Sequence, residues 1–73
     1  MTTGMKIRRA RLNAGLSQGV AGARAEPPVR QSQWANWENN VNIPTLQSLV
    51  RVAVCLGVAL VDLLPDPGGG VSL

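Results

Sequence analysis

The chain contains no histidine, phenylalanine or tyrosine, and among its 73 residues only one is cysteine, two are tryptophan and four are acidic. With no His and a single Cys it cannot assemble a zinc site, a disulfide framework, a Ser-His-Asp triad or a Cys-His pair. Only Asp62 and Asp66 are acidic near-neighbours, and Pro65 separates them, which is poor material for paired acid–base work. An enzyme is not expected, nor a metal or other cofactor. Long apolar runs are missing too. The longest uncharged apolar stretch, Val52–Val61, is half of what a membrane span needs. The basic N-terminus is not followed by the apolar segment of a signal peptide. The expected location is the cytoplasm, and Cys55, within that apolar run, reads as a small core residue in a reducing compartment.

What is present suffices for one small domain with a marginal core. The hydrophobic fraction is 45%, mostly Val, Leu and Ala, too high for a wholly disordered chain. Net charge is +3, but its distribution is uneven: residues 1–30 hold six basic residues and Glu26, whereas residues 31–73 hold Arg51 against three acids. That polarity points to an anionic partner for one face.

The pattern is helical throughout. Residues 5–14 read as a first helix with Ile7, Ala10 and Ala14 on a thin apolar stripe, closed by Gly15 in a left-handed conformation. Ser17 caps a weak second helix over about 18–25, which contains Gly19 and Gly22 and is ended by Pro27-Pro28. A third helix is expected from Arg30 to Glu38, with Val29, Trp34 and Trp37 to one side and Asn39-Asn40 as the stop. Thr45 caps a fourth, in which Leu46, Leu49, Val52, Ala53 and Leu56 recur at helical spacing up to Gly57. A short fifth, Leu60–Leu64, stops at Pro65. The expected division is a flexible 1–4, a helical domain over 5–64 and a disordered tail over 65–73.

Three segments, in order, resemble the helix-turn-helix of phage repressors and Cro proteins, the XRE family. Gly15-Leu16-Ser17-Gln18 is similar to the family's entry to its first motif helix. Trp37-Glu38-Asn39 is similar to the end of its recognition helix. Pro44-Thr45-Leu46, with Leu49, Ala53, Leu56-Gly57-Val58 and Asp62-Leu63-Leu64, is similar to its C-terminal half. The likeness covers about residues 5–64 and implies an all-α, compact five-helix domain. From Leu16 to Trp37 the chain is two residues longer than the usual pattern, around Ala25-Glu26-Pro27-Pro28, where the family usually places Gly.

The resemblance implies a transcription regulator that binds double-stranded DNA through helix 3, as a homodimer on a palindrome. Arg30, Gln31, Ser32 and Asn36 fall where the family touches bases, and these side chains suit adenine and guanine edges. Gln18, through its amide and the N–H groups of the first turn, and Asn39 and Asn40, through backbone N–H groups, fall where phosphates would be held. Arg11 and Glu38 are implied to pair across helices. Each assignment has a plainer counterpart: a polar solvated face, a capping role, a helix stop. Lys6, Arg8 and Arg9 form a cationic strip: a solvated face, a phosphate contact from the flank, or a docking surface for an acidic protein. Trp37 reads as core; Trp34 reads as core or, with helix 3 rotated, as a surface anchor. These last four residues, Lys6, Arg8, Arg9 and Trp34, define an alternative: a small phage-encoded protein that uses the same fold to bind bacterial RNA polymerase.

Overall fold

A computed structural model describes residues 1–66, and over these the chain is all-helical. Helix α1 spans Thr3–Asn13, α2 Gln18–Arg24, α3 Gln31–Glu38 and α4 Leu46–Leu56, followed by a 3₁₀ turn at Leu60–Leu63. Three of the four helices begin at a hydroxyl cap. Thr2 Oγ1 accepts from the Met5 N–H at 3.2 Å, Ser17 Oγ from Val20 at 3.1 Å, and Thr45 Oγ1 from Ser48 at 3.1 Å. Gly15 and Gly57 take left-handed φ of 73° and 70°, and Asn40 takes 60°, so the chain turns at each of the three punctuation points.

The core is Ile7, Ala21, Trp34, Trp37, Leu49, Val52, Ala53, Leu56 and Leu63. With Val, Leu and Ala as the main apolar stock, the two Trp supply the bulk that no other side chain here has. Their ring centroids lie 6.2 Å apart, tilted by 50°. Trp34 has 0% exposure, so it belongs to the interior and is not a surface anchor. Helix α3 packs on α1 and α2; α4 lies against α1, α2 and the 3₁₀ turn.

Two boundaries differ from the sequence expectation. Residues 1–4 are not a loose end: Thr2 caps α1, and the Met1 amine pairs with Asp66, which also holds Lys6 at 2.7 Å. The fifth helix is only a 3₁₀ turn, too short for α-helical hydrogen bonding. The tail expected at 65–73 lies, from residue 67 on, outside the described residues. Among the described residues no helix is long and apolar enough to cross a membrane.

Candidate nucleic-acid interface

The α2–α3 pair is held in place by one carboxylate. Glu38, at the end of α3, is buried, yet both its oxygens are fully engaged. Oε2 accepts from Arg11 Nε and from Trp34 Nε1, each at 2.6 Å; Oε1 accepts from Arg11 Nη2 and Gln18 Nε2, each at 3.1 Å. Arg11 Nη1 donates further to the Leu16 carbonyl at 2.8 Å. Glu38 and Arg11 thus tie α1, the α1–α2 turn, α2 and α3 together. Burial alone would push the Glu38 carboxyl up; the hydrogen bonds from Arg11, Gln18 and Trp34 outweigh it and hold the group below its usual value. The hydrogen bond to Glu38 correspondingly raises Arg11.

The longer connection from Ala25 to Arg30 folds back on α2. The Val29 N–H donates to the Gly22 carbonyl at 2.8 Å, and a Cβ on Gly22 would run into the Val29 carbonyl oxygen. Arg51 of α4 donates to the Pro27 carbonyl, and the Cys55 thiol to the Ala21 carbonyl at 3.2 Å. The Glu26–Pro27 peptide is cis. The prolines therefore lie over α2 and α4, not over the outer face of α3.

That outer face is polar and uncapped. Arg30 is the residue before α3 and offers it no side-chain hydrogen bond, and the first turn of α3 contains no acid. Arg30, Gln31 and Ser32 are exposed, and Asn36 is half-buried. Glu38 is the one acid on α3 and is sealed inside, so the exposed side of the helix has no negative charge.

Other residues singled out in the sequence sit differently from expectation. The backbone N–H of Asn39 donates to the Ala35 carbonyl at 2.9 Å, and that of Asn40 to Trp37 at 3.2 Å. Both groups close α3 and are not free for phosphate, because the last carbonyls of a helix take whatever donor follows them. Only the side-chain amides are left for that role, and Asn40 Nδ2 already donates to Thr2 Oγ1 at 3.2 Å. Gln18 has spent one amide hydrogen on Glu38, leaving its second. Lys6 is half-buried against Asp66, so the cationic strip of α1 reduces to Arg8 and Arg9, both exposed. Sequence reading missed the Trp34 indole as a donor to Glu38. The signal was their four-residue spacing on one helix.

A helix-turn-helix family model matches residues 7–63, more than three-quarters of the chain. The chain belongs to the XRE-type helix-turn-helix family. Its matched span runs from Ile7 in α1 to Leu63 in the 3₁₀ turn and so contains the whole described core. Membership makes it a DNA-binding helix-turn-helix transcription regulator, and nothing in the family points to catalysis. No curated protein and no solved structure matches the chain.

Proposed function

We propose that this helix-turn-helix protein is a repressor- or Cro-like cytoplasmic regulator that inserts α3 into the major groove, two copies meeting a palindromic site. Arg30, Gln31, Ser32 and Asn36 would face base edges, where Arg suits guanine and Gln or Asn adenine. The free amide hydrogen of Gln18 and the side chains of Asn39 and Asn40 would hold backbone phosphates on either side. The observation that carries this reading is the fate of Glu38. By drawing the only carboxylate of α3 into the core, the fold leaves an outward face of amides, a hydroxyl and Arg30 with nothing to repel phosphate.

The test is titration of a duplex, selected from a random-sequence pool, at several salt concentrations. With about three phosphates neutralised per copy, log K should fall against log salt with a slope of about −3. A flat dependence, or a pool that yields no enriched sequence, overturns the proposal. The polymerase-binding alternative retains Arg8 and Arg9 but loses the rest of its surface, since Trp34 is sealed in the core and Lys6 is held by Asp66. No observation favours it.

A further inference from the structure

The connection after α2 borders an open cavity of about 1000 Å³, whose other sides are the end of α2 and the outer face of α4. That volume is at the upper end of what small-molecule sites enclose. Val50, Val54 and Pro28 line it and are exposed, so its walls keep apolar surface in water. Its charged groups are Arg24, Arg51 and Glu26, and among the described residues none of the three is in an ion pair. One positive charge is therefore left over. The field of Arg24 reaches the α4 wall: burial pushes the Cys55 thiol up, and Arg24 acts against that rise. Arg51 is short of an acceptor. Its Nη2 donates to the Pro27 carbonyl, while Nε, on the same edge of the guanidinium, is buried with no partner.

We propose that this cavity binds a small carboxylate with an apolar body, of the medium-chain acyl type. The carboxylate sits between Arg24 and Arg51, and the chain lies along Val50, Val54 and Pro28. A single carbonyl oxygen meets one donor of the Arg51 edge, whereas the two oxygens of a carboxylate meet both. Pro27 is exposed, so water can take over its carbonyl when Arg51 turns toward the anion. The net charge of the site matches one negative charge. A bare inorganic anion would leave the apolar walls in water, and a neutral apolar ligand would leave both guanidiniums uncompensated. The site belongs to the connection in which this chain is longer than its family, and an occupant lies against the segment that leads into α3. The inference goes beyond DNA binding and does not rest on it.

Titration of the full chain with octanoate, followed by ¹H–¹⁵N NMR without DNA, tests the site. The amides of Ala25, Val50, Arg51 and Val54 should shift and saturate by about 10 mM, the weak end for a ligand of this size. Octanamide, which lacks the charge, and acetate, which lacks the chain, should each bind at least about tenfold more weakly. Arg24→Gln, which removes no hydrogen bond or ion pair of the fold, should weaken octanoate about tenfold. Arg51→Gln is the second variant, and loss in either supports the site. Arg8→Gln, the same change of charge outside the cavity, should bind like the wild type. Absence of saturation, octanamide or acetate binding as well as octanoate, or octanoate affinity that survives both cavity substitutions overturns the proposal. So does an equal loss in Arg8→Gln. Because no DNA is present, failure here is distinct from failure of the salt titration.

Discussion

The indole nitrogen of Trp34 donates to Glu38 Oε2 at 2.6 Å, one turn further along the same helix. That contact completes a four-donor shell around a buried carboxylate and explains how a helix as short as α3 is held at a fixed angle. Isolated helices of this length are not stable in water; α3 depends on what it is tied to. Removing the carboxylate leaves Arg11 Nε and Nη2 without their acceptor in the interior. Glu38→Ala should therefore cost about 3–5 kcal/mol, the usual penalty for breaking one side of a buried pair. Thermal melting would show it well before any loss of DNA affinity in the folded fraction. Unchanged melting with lost binding would refute the structural role.

Trp34→Phe is a milder version of the same experiment. It removes one hydrogen bond to a charged group, worth about 1.5–3 kcal/mol, while most of the ring volume remains. A loss in this range by urea unfolding, smaller than that of Glu38→Ala, is the expected outcome. A neutral result would mean that Arg11 and Gln18 satisfy the carboxylate alone.

The same shell sets an acid dependence. Folded Glu38 holds its proton less tightly than the usual 4.5, because the four donors, from Arg11, Gln18 and Trp34, outweigh burial. Below that pH the unfolded chain takes up the proton first. The contribution of Glu38 to stability is thus complete above about pH 4.5 and is lost as the pH falls through the lower folded value. Asp66, held down to about 2 by Lys6 and the N-terminal amine, adds a second loss that begins below its usual 3.8, which salt should weaken because the group is exposed. Carboxyl ¹³C titration of the intact protein checks both. A Glu38 inflection above 4.5 would contradict the geometry.

Arg30 is a poor residue to place before a helix: it cannot cap the first N–H groups, and its charge opposes the helix dipole. Its backbone, at φ −66° and ψ 147°, is already that of a cap. Arg30→Ser should raise stability by about 0.5–2 kcal/mol and at the same time weaken DNA binding and flatten its salt slope by about one. A substitution that stabilises the fold and leaves the salt slope untouched would remove Arg30 from the interface.

Much of this was legible because the information is local. Thr45, the apolar spacing of α4 and Gly57 define that helix without reference to anything else, and Asn39-Asn40 mark the end of α3 for the same reason. The misses are non-local. Gly4 disfavours a helix by propensity, so α1 reads as beginning at Met5; in the fold, α1 starts earlier because Thr2 caps it and Asp66, sixty residues distant, anchors Met1 and Lys6. The polar residues of the Asn39-Asn40 stop look free in one dimension, yet their N–H groups are consumed by the helix they terminate. Sequence shows which groups can donate. It does not show which have already done so.

Gly19 and Gly22 make the distinction sharpest, since sequence treats them alike. Both weaken α2 by helix propensity. At Gly19 a methyl group would meet only the Gln31 side chain, at 3.4 Å, an ordinary contact. At Gly22 it would meet the Val29 carbonyl oxygen, part of the backbone that closes the α2–α3 connection through Val29 N–H. Gly19→Ala should accordingly stabilise the protein, by up to about 1 kcal/mol. Gly22→Ala should destabilise it by more than that gain, because the helix and the connection cannot both keep their positions. Urea unfolding of the two variants reads the difference directly. If both stabilise, the connection does not rest on α2, and the orientation of α3 must be set by the Glu38 shell alone.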